Sequence, residues 1–159
     1  MPGITVDLWH TNCEGYYSAD TSPPSEAGPG WGAICTNNNT ARINEARSAH
    51  WHRGSQVSDG DGVVYFKTCF PGWYTGRVAH AHIRFSENNQ VIHFTQFAWP
   101  DAIAEEIHVG HPEYIGQKQD TPLSGRDPEF GNNIDPELLL DVNKQEDGSI
   151  LCSKVITIT

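Results

Sequence analysis

Ala79-His80-Ala81-His82-Ile83-Arg84-Phe85-Ser86, then Glu87-Asn88-Asn89, then Val91-Ile92-His93-Phe94-Thr95-Gln96-Phe97 is the passage that decides the fold. Both arms are rich in β-branched and aromatic residues, and the Asn pair between them is turn chemistry. The passage therefore reads as a β-hairpin with arms 79–86 and 91–97. The same signature recurs outward from it. Residues 4–9 (Ile4-Thr5-Val6-Asp7-Leu8-Trp9) read as a strand. Residues 51–57 and 63–67 read as a hairpin about Ser58-Asp59-Gly60-Asp61-Gly62, and 137–142 with 149–158 as a last hairpin across Asp147-Gly148. One stretch has helical character, Asp101 to Val109, with Asp101 as its cap, Glu105 and Glu106 in its early turns, and Ile103 and Ile107 on one face. Residues 18–48 and 110–133 read as long loops. The expectation is one all-β domain over 1–159, a mostly antiparallel β-sandwich with long loops and one short helix.

Composition narrows the function classes. The chain has 159 residues, with 20 Asp+Glu against 10 Lys+Arg and a formal net charge of -10. A protein so acidic repels phosphate backbones, which argues against nucleic acid as a partner. Mean hydropathy is -0.50, and no run approaches the roughly 18 apolar residues of a membrane helix, so a membrane partner is not expected either. Met1-Pro2-Gly3 runs into the first strand without a basic or apolar leader, so the chain is intracellular or its leader has been removed. Cys13, Cys35, Cys69 and Cys152 form no C-x-x-C pair. Four scattered cysteines in a Gly/Pro-rich β chain favour two disulfides and a secreted protein. Cys13–Cys35 with Cys69–Cys152 is the preferred pairing of three, because the first closes a loop otherwise too long to be ordered. Asn38-Asn39-Thr40 is a glycosylation sequon, a pattern frequent by chance.

The densest chemical signal is Pro71-Gly72-Trp73-Tyr74-Thr75-Gly76-Arg77-Val78-Ala79-His80-Ala81-His82-Ile83. On a strand His80 and His82 point to the same face about 7 Å apart, so two imidazoles can converge on one ion. Two histidines on a solvent face are the plainer reading of a bare H-x-H, but here apolar residues surround the pair. Imidazoles alone suit Zn, Cu, Fe or Ni. A phenolate is a hard anionic donor, so Tyr74 nearby points to Fe(III). Tyr16 and Tyr17 offer a second phenol, although aromatics after a strand are as readily core or rim residues. His10 reads as a buried hydrogen-bonding partner. His93, His108 and His111 read as surface or structural. His50-x-His52 repeats the H-x-H pattern without a phenol in a motif beside it.

Three motifs together carry a resemblance: Trp9-His10-x-Asn12-x-x-Gly15-x-Tyr17-Ser18; Arg53-Gly54-x-Gln56-x-x-Asp59-x-x-Gly62-x-Val64-x-Phe66-x-Thr68; and Pro71-Gly72-Trp73-Tyr74-x-Gly76-Arg77-x-x-His80-x-His82. In this order they resemble the intradiol ring-cleavage dioxygenases, in the short secreted form, and Thr95-Gln96-Phe97, Asp135, Leu139, Leu140 and Gly148 agree. The chain departs at its front, where family members carry further residues before the strand that opens at Ile4. The resemblance implies Tyr17, Tyr74, His80 and His82 as protein ligands of a non-haem Fe(III), with Tyr16 the competitor for the role given to Tyr17. It further implies a catalytic role for Tyr74, the ligand that leaves on substrate binding, for Arg77 beside the substrate, and for Gln96 in the pocket. The implied reaction opens a catechol-type aromatic diol with O2 between its hydroxylated carbons, giving a muconate-type diacid. The oligomeric state stays open, with a monomer compatible. Two competing readings are a non-catalytic carbohydrate- or partner-binding sandwich on the same scaffold and a copper or zinc protein using His80 and His82 alone.

Overall fold

The computed structural model describes residues 1–18, 45, 47–114, 116 and 118–158. Its centre is an antiparallel sheet of four strands in the order β2-β1-β3-β4, comprising β1 Thr5–Trp9, β2 Arg53–Val57, β3 His80–Glu87 and β4 Gln90–Ala98. The deciding hairpin forms as its residues predict. Asn88 (φ 50°) and Asn89 (φ 64°) take up the left-handed backbone that a two-residue hairpin turn requires. The register sets His80 opposite Ala98, and β1 faces β3 with Trp9 opposite His82. A shift at Phe85/Ser86 marks a bulge near the turn.

Among the described residues, two apolar clusters anchor the sheet. Ile4, Val6 and Phe85 are buried together, with Val64, Phe66, Ile83, Ile156 and Ile158 packed on them. Val78, Ala98 and Ile134 form the other cluster, joined by Leu123, Phe130, Leu138 and Leu139. Beyond the sheet lie two small antiparallel pairs, β5 Arg126–Asp127 with β6 Gly131–Asn132 and β7 Asp141–Lys144 with β8 Ile150–Ser153. The expected all-β, mostly antiparallel class is what forms, with α1 Asp101–Gly110 and a 3-10 turn at Pro136–Leu138. No helix among the described residues is long and apolar enough to cross a membrane.

Several local expectations are corrected. Residues 63–67 form no ladder with β2, which pairs with β1 instead. The Gln56 side chain satisfies the Tyr65 main chain, its Oε1 accepting from the Tyr65 N–H (3.2 Å) and its Nε2 donating to the carbonyl. Val64 and Phe66 still pack on the core, so the alternation was real while the ladder was not. Residues 137–140 and 154–158 likewise stand outside β7 and β8. Asp101 does not cap α1. Pro100 holds that position, and the Asp101 carboxylate accepts from Gln119 Nε2 (2.8 Å) and Leu123 N (3.1 Å). The fully buried residues of α1 are Ala104 and His108, with Ile103 and Ile107 half-buried beside them on one face as expected. The 110–133 loop contains β5 and β6.

Cys69–Cys152 is not a disulfide in this structure. Cys69 Sγ lies 3.4 Å from His52 Nδ1, whereas Cys152 Sγ accepts from Trp99 Nε1 at 3.1 Å on β8. Each thiol is held by its own neighbours, Cys69 outside any strand and Cys152 on β8. Cys35, Asn38 and most of the 18–48 loop lie outside the described residues.

Candidate metal centre

β3 carries His80 and His82 on the face opposite Ile83 and Phe85, as strand alternation demands. Tyr17 and Tyr74 must be brought to them from loops, and the main chain explains how. A Cβ on Gly72 would fall 2.5 Å from the Asn12 carbonyl oxygen and 2.7 Å from that of Cys13. Only glycine lets the Pro71–Tyr74 segment lie this close to the segment leading to Tyr17. Gly72 N donates to Asn12 O (2.9 Å), and Thr11 Oγ1 donates to Gly72 O (2.6 Å). From the other side, fully buried His108 bonds Pro71 O through Nε2 (2.9 Å), and Tyr114 OH donates to Phe70 O (2.6 Å). Arg53 grips the Ser18 carbonyl with Nη2 (2.7 Å) and Nε (3.1 Å), fixing the residue after Tyr17.

The result is a tight convergence of polar atoms. Tyr17 OH lies 2.7 Å from His80 Nε2, 2.9 Å from His82 Nε2 and 3.5 Å from Tyr74 OH, and Tyr74 OH is 3.3 Å from His80 Nε2. His80 Nδ1–H is committed to Val78 O at 2.7 Å, which turns its Nε2 lone pair toward the phenols. It is Tyr17 that reaches the histidines, while Tyr16 is buried with its amide bonded to Asn12 Oδ1.

Burial dominates the titration of this set. It pushes the Tyr17 phenol well above its ordinary value, with neighbouring Tyr74 adding to the rise. Burial also raises Tyr74, against the lowering effect of the Arg77 cation. It lowers His80 strongly and His82 to about 4, with Arg77 adding to both falls. The set by itself is thus four neutral, oxygen- and nitrogen-bearing groups aimed at one spot. Their spacings match the roughly 3 Å between two donors that each lie about 2 Å from a common ion. His82 Nδ1 is buried without a hydrogen-bond partner among the described residues, and that ring is oriented by stacking on Trp9 (5.1 Å) and Phe94 (5.9 Å). This donor set fits a metal ion, and two phenols select a hard, highly charged one.

Arg77 stands directly behind Tyr74. It is 4% exposed, donates from Nη1 to Tyr74 OH (3.3 Å) and from Nη2 to Gln96 Oε1 (2.5 Å), and is paired through Nε with Asp127 (2.9 Å). All six residues named from the sequence are therefore contiguous. Asp127 was missed, since an Asp before Pro128 reads as a turn, and no periodicity links it to an arginine 50 positions away. Gln119 was missed too, although its Oε1 accepts from Ala79 N (2.8 Å) at the entry to β3. His10 is buried as expected, bonded to Thr11 O (2.7 Å) and Thr68 Oγ1 (2.8 Å).

No protein-family model and no curated protein sequence matches the chain. Solved structures do. An intradiol ring-cleavage dioxygenase from Tetranychus urticae superimposes with a TM-score of 0.72 at 23% identity, over 96% of this chain and 69% of that one. The dioxygenase domain of a dioxygenase–carbohydrate-binding protein fusion from Streptomyces sp. SirexAA-E gives 0.52 at 22% identity, over 93% of this chain and 63% of that one. A 3-chlorocatechol 1,2-dioxygenase from Rhodococcus opacus 1CP gives 0.52 at 17%, covering 98% and 55%. The fold of this chain is the fold of intradiol ring-cleavage dioxygenases, in agreement with the resemblance read from its motifs.

Proposed function

We propose that the protein is an intradiol dioxygenase, which uses non-haem Fe(III) to open a catechol-type ring with O2 between the two hydroxylated carbons. The observation that carries this reading is the meeting of Tyr17, Tyr74, His80 and His82 at one point, with Arg77 against Tyr74. Tyr17, Tyr74, His80 and His82 would hold the ion, which when bound supplies Lewis acidity toward the diol. Tyr74, ionised to the phenolate when it holds the ion, would be the proton acceptor, taking a hydroxyl proton from the diol at its phenol oxygen. The hydrogen bond from Arg77 stabilises the phenolate form of that oxygen. Arg77, permanently charged and nearly buried, stabilises negative charge as it develops on the ring. Gln96 holds the guanidinium in plane through its amide oxygen. Both atoms of O2 enter the product, so catechol and O2 give cis,cis-muconic acid with no reductant. Secretion of the protein belongs to the same proposal, tested by locating the full-length tagged protein in its producing cell.

The test is to load purified protein with ferric iron and follow O2 uptake on a panel of catechols, alongside iron content and colour. About one iron per chain, a tyrosinate charge-transfer colour and catechol-dependent O2 uptake are expected. A colourless protein that binds zinc or copper at His80 and His82 alone, or one that takes iron yet consumes no O2 with any catechol, contradicts the proposal.

A further inference from the structure

We infer that Asp127 is a positioning residue that aims the Arg77 guanidinium at the centre; this inference rests on the function proposed above. A guanidinium carries five N–H donors in a rigid plane, so fixing one edge fixes the direction of the rest. Asp127 fixes that edge. Both its oxygens stand 2.9 Å from Arg77 Nε, and its side chain is 1% exposed against 5% for Arg77. With Nε held, Nη1 is directed to Tyr74 OH and Nη2 to Gln96 Oε1. Each terminal nitrogen thereby uses one of its two N–H groups on a neighbour at the centre. Phe130, three residues beyond Asp127, lies under the guanidinium carbon at 5.7 Å and closes one face of the plane.

Asp127 is itself held on every side. Oδ2 accepts from Val78 N (3.0 Å), and Oδ1 accepts from Glu129 N (2.9 Å) and Phe130 N (3.1 Å). The carboxylate thus joins the residue following Arg77 to the turn between β5 and β6, and cannot swing away without breaking these bonds. It also returns a negative charge beside Arg77, so the arginine is a directed donor rather than a bare cation next to a metal centre. A structural ion pair alone requires only that both partners be buried and matched. The assignment here requires more, namely that losing Asp127 costs turnover only while Arg77 is present.

The experiment uses iron-loaded protein with catechol as substrate, comparing wild type, Asp127→Asn, Arg77→Gln and the double variant. Asp127→Asn is expected to keep its iron and visible band while kcat falls on the order of 10²-fold and KM moves little. The double variant is expected to be no slower than Arg77→Gln alone, because one acts through the other. Losses that multiply, or an Asp127→Asn enzyme with wild-type kcat, overturn the inference. Should Asp127→Asn fail to fold, wild type loaded with diamagnetic Ga(III) decides. Its Arg77 Nε–H, identified by its disappearance in Arg77→Gln, is expected to exchange slowly in a nitrogen-15 NMR spectrum, and fast exchange overturns the assignment. Iron-loaded wild type that consumes no O2 with any catechol defeats the functional reading instead, whatever the arginine resonance does.

Discussion

His80-x-His82 and His50-x-His52 are the same three-residue pattern in two settings. The first lies on β3, where alternation sends both rings to one face and Tyr17 OH meets both Nε2 atoms within 2.9 Å. The second precedes β2 in a turn, with His50 exposed and His52 at φ 52°. There the His52 ring stacks on His10 (4.8 Å) and faces Cys69 Sγ instead of a phenol. The pattern becomes a candidate site only where a strand fixes the spacing and two loops deliver phenol donors. The first copy is proposed for chemistry, whereas the second packs against His10 just beyond β1.

The comparison breaks most sharply under substitution of a donor. Tyr17→Phe is expected to lower iron affinity by at least about a hundredfold and abolish or shift the visible band. His52→Ala and Tyr16→Phe should leave both unchanged, as metal analysis and absorption spectra will reveal. A loss of iron in His52→Ala, with none in Tyr17→Phe, would reverse the roles of the two copies. Arg77→Gln comes next. It should retain iron and colour and lose about 10²–10³ in kcat, measured by steady-state O2 uptake.

Much of this was legible in the sequence because it is local. The 79–97 hairpin, the face shared by His80 and His82, and the burial of His10 all follow from alternation and turn residues. Ladder partners were not legible. Gln56 replaces with its side chain the main-chain bonds that a strand at 63–67 was expected to make. Nor was Asp127, whose partner Arg77 comes near only through tertiary folding. The Cys69–Cys152 pairing failed for the same reason, because Cys69, outside any strand, and Cys152, on β8, have separate neighbours.

Two smaller effects sharpen the contrast between a site that does chemistry and a wall that supports it. Gly72→Ala, which drives a Cβ into the Asn12 carbonyl, should cost roughly 1–3 kcal/mol in chemical denaturation and loosen Tyr74. His10 is held by burial at about 4, below the 6.5 of a free histidine. Between those values the unfolded chain binds more protons than the folded one, so the His10 contribution is complete above pH 6.5 and is lost as pH falls toward 4. Denaturation curves across that window should show a shallower pH slope for His10→Asn than for wild type, and equal slopes would exclude the effect.

The most direct measurement is the identity of the product formed from catechol and O2 by the ferric protein. Activation of the organic substrate at a site with two phenols predicts cleavage between the hydroxylated carbons. The account therefore predicts a colourless cis,cis-muconate, formed without added reductant or Fe(II). A yellow semialdehyde, or turnover that depends on ferrous iron, contradicts it.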